Sequence, residues 1–361
     1  DVAPYKTETV AEQRVRTHFI SAGTAKLELL EAVDDDSPVA HFLARRGEGI
    51  HHLAFEVEDI EAAMTRCRQH GFVPLNDAPR PGADGKRIFF LHPRDTHGVL
   101  VEFCQSTPAA LAPELVPYRG GALAVYTAGA PEAPPVLLLH GAAGCTQLET
   151  AELLRRLEPN YRVVAVDFSG HGASTHTADF SADLFADNAR AALDHAGVEQ
   201  ADVFGFSMGG AMALHFADAH PDRVRRLAVH GANVEWGEAR VAAMNRRLDA
   251  DAIAARHPPL AEQLASLHTD WRNLFRRMQT FIASLPERAS DMAAMAARVE
   301  HFTLVSAVDR DDLFPLDAPL GLHGLLPNSR LALLPGDRHA LQEVNLDLLA
   351  PLLKSHFSGT G

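Results

Sequence analysis

Residues 201–220 read ADVFGFSMGGAMALHFADAH. ADVF is a short apolar run of strand type, and the residues after Ser207 form an apolar helical run. A strand therefore turns into a helix within Gly205, Phe206, Ser207, Met208 and Gly209. A reversal this tight holds its central residue in a strained backbone conformation that flanking glycines accommodate sterically. It presents the Ser207 hydroxyl at a helix N-terminus as a candidate nucleophile. The strand before and the helix after, rather than the pentapeptide alone, carry this reading.

A serine hydroxyl is a poor nucleophile until a base takes its proton, so a histidine must lie within hydrogen-bond reach. Of the 20 histidines, His339 in LLPGDRHAL follows the last strand-like run directly and precedes the final helix. The third group must be a carboxylate that orients the imidazole. The segment LVSAVDRDDLFP offers Asp309, Asp311 and Asp312, in the chain order Ser, Asp, His. Acyl transfer also needs backbone donors for a developing oxyanion, and HGAAG, beginning at His140, follows the first long buried strand.

Outward from this centre, PPVLLLH, YRVVAVD, ADVFGFS, RRLAVHG, HFTLVSAV and SRLALLPG are buried strands alternating with helical segments. That alternation predicts an α/β fold with a mostly parallel sheet covered on both faces. From about 233 to 300 the strands stop and helical segments take over, predicting a helical cap. Trp236, Trp271, Phe275, Met278 and Phe281 fall there and are candidates to line an apolar substrate pocket, although such a stripe also suits plain helix core.

Residues 118–358, through these ordered motifs, resemble the α/β-hydrolase superfamily, in the branch of capped esterases and related small-molecule hydrolases. The resemblance favours Asp311, which stands four residues before Pro315 as in the family's G-x-x-D-x-x-x-P, with Val308 in place of the usual glycine and Asp309 as the alternative. It matches His140 and Gly141 to the family's oxyanion loop, which makes the N–H groups of Ala142 and Met208 the expected donors. It implies a Ser207 acyl-enzyme, His339 acting as base and then acid, Asp311 holding the imidazolium, and water as final acceptor without a cofactor. DFSGHGAST, residues 167–175, also resembles a family motif, of packing and turn geometry rather than chemistry.

The first 105 residues have a different pattern. RVRTHFIS and AKLELLEAV, separated by AGT, predict a β-hairpin. HHLAFEV, the helix IEAAMTRCRQH capped by Asp59, and then FVPLN, KRIFFLH and GVLVEFCQ predict a β-α-β-β-β unit. These segments look like the second half of a methylmalonyl-CoA epimerase, of the vicinal-oxygen-chelate superfamily. The resemblance maps Glu28, His52 and Glu102 onto three of the family's four divalent-metal ligand positions, with no counterpart to the histidine on the family's first strand. The expected architecture is thus a partial α+β vicinal-oxygen-chelate domain over 1–105, an Ala- and Pro-rich linker over 106–117, and the α/β-hydrolase domain over 118–361. The open sheet edge left by the absent first strand is either covered by a second copy of the chain, in a homo-oligomer, or belongs to a remnant whose role is structural.

Composition narrows the partners. In 361 residues, 47% hydrophobic and 22% charged, the net charge is -14 with no basic run, which argues against nucleic acid or an anionic membrane. Cys67, Cys104 and Cys145 are an odd set without metal spacing and read as reduced thiols of a cytoplasmic protein. No run nears the roughly 18 apolar residues of a membrane span. The leading expectation is a carboxylic-ester hydrolase of small to medium acyl chains. The fused epimerase-like domain suggests an acyl-CoA thioesterase as the alternative. A carbon–carbon bond hydrolase, a lactonase or a non-catalytic binding module stands lower.

Overall fold

The computed structural model describes residues 4–11, 14–22, 25–57, 59–106, 111–175, 178–335 and 338–359. The turn residues 23 and 24 and residues 107–110 of the expected linker lie outside these. The chain divides into two units, residues 1–110 and 111–361.

In the first unit, β1 (Lys6–Val10), β2 (Val15–Ala22) and β3 (Ala25–Ala32) form an antiparallel sheet in the order β1-β2-β3. β1 and the helix α1 (Pro38–Arg46) that follows β3 are additions to the sequence reading. A second sheet contains β4 (His52–Glu56), β5 (Arg80–Pro81), β6 (Lys86–Leu91) and β7 (Leu100–Ser106), in the order β4-β7-β6-β5. Between β4 and β5 lies α2 (Ile60–Gln69), whose first turn is capped by Asp59 accepting from the Ala62 N–H at 2.8 Å. The expected strand FVPLN is reduced to one isolated bridge, Pro74 to Leu91, since Pro74 has no N–H to continue a ladder. Lys6 and Lys26 both reach Asp84 at 2.7 Å and so tie the first sheet to the turn before β6. β3 is an edge strand and carries exposed Leu27 and Leu29.

The second unit begins inside the expected linker: Glu114–Tyr118 is a strand, β8, paired antiparallel with β9 (Gly121–Ala128). The proline in ELVPY obscures it, yet Pro117 is tolerated because β8 is an edge strand. Beyond come β10 (Pro135–Leu139), α3 (Ala151–Leu157), β11 (Arg162–Val166), α4 (Ala182–His195), β12 (Ala201–Phe206), α5 (Met208–Ala219) and β13 (Val224–His230). The cap follows as α6 (Glu238–Arg247), α7 (Ala250–Arg256), α8 (Pro258–Leu267), α9 (Trp271–Ala283) and α10 (Ala289–Arg298). β14 (Thr303–Val308), α11 (Asp317–Leu325), β15 (Ser329–Leu334) and α12 (Leu346–Ser358) complete the chain.

The sheet order is β15-β14-β13-β12-β10-β11-β9-β8, with the strands from β15 to β11 parallel. Val136 to Leu139 of β10 are fully buried, as a strand covered on both faces requires. α4, α5 and the cap pack on one face, while α3 and α12 pack on the other. The chain leaves β10 toward β11 on one side and returns as β12 on the other. The carboxyl ends of β10 and β12 therefore flank a topological switch point, where such sheets hold their ligands.

Candidate active site

Ser207 stands at that switch point, between β12 and α5, with φ 53° and ψ -118°. A Cβ on Gly205 would collide with the Gly209 carbonyl, and one on Gly209 with the Leu139 carbonyl, so the elbow closes only with glycine at both places. The Ser207 N–H donates to the His230 carbonyl at 2.8 Å, which ties the elbow to β13. The residue is 5% exposed.

The loop after β15 brings His339 to Ser207, with Nε2 3.0 Å from Oγ. Nδ1 of the same ring lies 2.8 Å from Oδ2 of Asp311. With Asp311 ionised, Nδ1 carries the proton and donates to it, which leaves Nε2 to accept from the serine hydroxyl. Burial would push Asp311 up, but His339 and the N–H groups of Leu313 and Phe314, at 2.8 and 2.7 Å, outweigh it and hold the carboxyl below its ordinary value. The rings of Phe206 and Phe314 pack on the imidazole at 5.3 and 5.2 Å between centroids. Among the three aspartates left open by the sequence, Asp311 is the one that meets His339; Asp312 pairs with Arg247 at 2.7 Å.

The expected oxyanion donors, the N–H groups of Ala142 and Met208, belong to residues in one pocket wall with Ser207, and neither N–H is taken by another group among the described residues. The loop that carries Ala142 is braced from two sides. His140 is buried, lies 2.8 Å by Nδ1 from the Gly141 carbonyl, and accepts the Phe168 N–H at 3.0 Å on Nε2. That double use fixes a neutral imidazole, and burial pushes its pKa down. From the other side, Glu149 accepts the Gly141 N–H at 2.6 Å. Desolvation pushes this carboxyl up to about 7, against the lowering effect of that N–H. Glu149 comes from a single π turn, Thr146–Thr150, and no motif in QLETAELL announces it. Asp167 of DFSGHGAST accepts from the Thr146 and Ala173 N–H groups at 2.7 and 3.0 Å, which is a turn-holding role.

A pocket opens on Ser207 between core and cap. Its wall is made by α5 (Met208, Ala211, Met212), the loop after β13 (Asn233, Trp236), the cap (Met244, Met278, Phe281, Ile282, Leu285, Met292), Ala142 and Phe314. Among the described residues the wall holds no charged side chain. Of the expected lining residues, Trp236, Met278 and Phe281 are in it. Trp271 and Phe275 are not: they start the same buried stripe of α9 but pack edge-on against each other at 5.3 Å within the core, and only the later turns of the helix reach the pocket. The methionines of α5 and α10 and Phe314 were not anticipated, since nothing in their local sequence separates a pocket wall from ordinary core.

The metal set expected in the first unit does not form. His52 Nε2 and Glu102 Oε2 face each other at 3.8 Å, since parallel pairing of β4 with β7 brings these positions together. Glu28 belongs to the other sheet, where its carboxyl lies 4.0 Å from Lys26. Among the described residues, no three of His, Cys, Asp and Glu stand close enough to hold a metal ion. Desolvation instead leaves His52 pushed down to about 4 and Glu102 up to about 7, the latter helped by nearby Glu28. The first change keeps the His52 imidazole neutral, and the second favours a protonated Glu102 over the ionised carboxylate.

Comparison with protein families matches residues 134–346 to the family described as alpha/beta hydrolase fold. The chain belongs to that family. Residues 1–90 match the glyoxalase/bleomycin resistance protein/dioxygenase superfamily. Among characterised relatives of this alpha/beta hydrolase, the 2-hydroxymuconate semialdehyde hydrolase of Pseudomonas sp. (strain CF600) is 32% identical over 222 residues, 55% of this chain and 77% of that protein. The mitochondrial methylmalonyl-CoA epimerase of Mus musculus is 40% identical over 96 residues, 26% of this chain. The chain spans about half the length of that epimerase, 54%. Among solved structures, 2-hydroxy-6-oxo-6-phenylhexa-2,4-dienoate hydrolase from Rhodococcus sp. strain RHA1 superimposes with a TM-score of 0.59 at 24% identity, over 69% of this chain and 99% of that one, a likeness of fold.

Proposed function

We propose that this alpha/beta hydrolase cleaves carboxylic esters of small to medium apolar acyl groups. The observation that carries the reading is the Ser207–His339–Asp311 relay opening onto a pocket wall without a charged side chain. Ser207 Oγ attacks the ester carbonyl while its proton passes to His339 Nε2. The carbonyl electrons move to oxygen, which the Ala142 and Met208 N–H groups receive. Collapse of the tetrahedral species breaks the bond to the alkoxy oxygen, and His339 gives that oxygen its proton, leaving an acyl-Ser207. Water then attacks with His339 as base, and the acid departs. Asp311 remains ionised throughout and stabilises the imidazolium. The test is hydrolysis of a p-nitrophenyl ester series, acetate to dodecanoate, by wild type and Ser207→Ala, with and without chelator. Activity lost in the variant and indifferent to chelator supports the reading; a rate retained by Ser207→Ala overturns it.

A second reading, carbon–carbon bond hydrolysis, is favoured by the relatives named for 2-hydroxymuconate semialdehyde and for the phenylhexadienoate. Muconates and dienoates carry a carboxylate, and among the described residues the wall offers it no cation, which is why the ester reading stands first. Turnover of such a dienoate at a rate above that of every ester would reverse the order. The epimerase-like unit keeps acyl-CoA thioesters in the comparison set, at matched acyl length.

A further inference from the structure

One residue of the pocket wall carries a buried side-chain donor that has no partner among the described residues. That residue is Trp236, and the donor is its indole N–H. The other side-chain polar atoms of the wall each have a partner among the described residues. Asn233 spends its amide on its own loop, donating to the Glu235 carbonyl at 2.5 Å and accepting from the Glu235 N–H at 3.2 Å and from Arg240 at 2.9 Å. The Ser207 hydroxyl is held by His339. The Ala142 and Met208 N–H groups are assigned to the ester's own oxygen.

The position of the indole is fixed rather than incidental. Asn233 ties down the loop that carries it, and the ring meets Phe314 edge-on at 6.0 Å; Phe314 in turn packs on His339. A buried donor without an acceptor is a standing cost to the fold, and such groups in native proteins have a partner to meet. We infer that Trp236 is a specificity-determining residue whose N–H recognises a second, uncharged oxygen in the acyl group, so that the preferred substrates are oxoacyl or alkoxycarbonyl-acyl esters rather than plain alkanoates.

The oxygen is uncharged because the wall supplies no cation among the described residues, and a carboxylate set among methionines with one neutral donor would lose more hydration than it regained. A ketone or ester carbonyl loses little on entry and gains the indole hydrogen bond. Conversely, a plain alkyl chain leaves the donor unmet, and sites built around a polar group reject analogues that lack the matching one.

The inference rests on the ester-hydrolase reading and is tested with matched pairs of p-nitrophenyl esters. Each pair sets an oxoacyl ester, with the ketone moved stepwise along the chain, against the alkanoate of the same length. The readout is the ratio of kcat/KM within each pair, in wild type and in Trp236→Phe, which keeps an aromatic ring and removes the N–H. For at least one ketone position the wild type should favour the oxo ester by about 10-fold, and Trp236→Phe should bring that ratio close to one, whatever it does to either rate alone. Equal ratios in the two proteins, or no oxo preference at any position, overturn the inference while leaving the esterase reading intact. Binding of the same pairs to Ser207→Ala and to Ser207→Ala/Trp236→Phe by calorimetry gives the answer without turnover. An oxo preference confined to the protein with Trp236 supports the inference, and its absence overturns it. If no ester is hydrolysed but the binding preference is present, the reaction assignment fails and the recognition site stands.

Discussion

The carboxyl of Glu149 fills the space that a side chain on Gly144 would need, and it accepts the N–H of Gly141 at 2.6 Å. The turn that presents Ala142, the expected oxyanion donor, is therefore wrapped around a carboxyl group from a neighbouring π turn, closed by the Gly144 N–H on the Gly141 carbonyl at 3.2 Å.

Gly144→Ala should expel that carboxyl and release the Ala142 N–H from its aim. The expected result is a fall in kcat on p-nitrophenyl esters of about 10-fold or more, with a smaller change in KM, because the lost interaction belongs to the transition state. Glu149→Gln, which keeps an acceptor for Gly141, should retain most of the activity. Equal damage from both substitutions would mean that the carboxyl's charge matters more than its place.

The same group makes stability depend on pH. Desolvation raises Glu149 from its ordinary 4.5 to about 7, so the unfolded chain gives up the proton more readily than the folded one. The fold bears no penalty below 4.5, a growing one as pH rises toward 7, and the full one above. Glu149→Gln should thus gain stability relative to wild type on going from pH 4 to pH 8, by about 1–3 kcal/mol in denaturant titrations. A constant difference across that range would contradict the burial of a titrating carboxyl.

Asp311→Asn should keep the fold and lose about 10³–10⁴-fold in kcat, since an amide no longer fixes the proton on Nδ1 or stabilises the imidazolium. Asp309→Asn should leave most of the activity. Steady-state kinetics of the two variants side by side decides which aspartate serves His339.

The cap is fastened to the core through a histidine. His268, just after α8, accepts the Gly172 N–H on Nδ1 at 2.8 Å, which requires an uncharged nitrogen. Burial, with His140 beside it and Asp167 opposing, pushes it down to about 4. The unfolded chain takes the proton first, so this contribution is complete above the ordinary 6.5 and is lost progressively as pH falls through 4. The melting temperature should drop over that window, and His268→Gln should flatten the profile. An unchanged profile in the variant would assign the acid sensitivity to other groups.

The strand-elbow-helix at Ser207 was legible because its chemistry and its sterics are written within five consecutive residues. His339 was legible because it follows the last strand-like run, and Asp311 because its spacing to Pro315 matches the family's motif after the preceding strand. Glu149 was not, because its partner Gly141 is reached through a π turn rather than through any fixed spacing. α9 shows a third case. Its stripe from Trp271 to Ile282 correctly predicts a buried face, but periodicity does not say which turns of that face meet core and which meet substrate. In the first unit the resemblance placed Glu28, His52 and Glu102 at matching strand positions, yet register along a strand does not bring two separate sheets into ligand distance. β8 was missed because Pro117 is read as a breaker until its place at a sheet edge is known.

Met208, Met212, Met244, Met278 and Met292 are five of the chain's seven methionines, and all five face one pocket. Their sulfurs concentrate the protein's thioethers in the wall proposed to meet the substrate. Peroxide would convert thioethers to sulfoxides, turning an oily wall polar and stiff while the sheet beneath keeps its hydrogen bonds. Under oxidative stress this protein should therefore go blind to its substrate before it unfolds, and sulfoxide reduction rather than refolding would restore it.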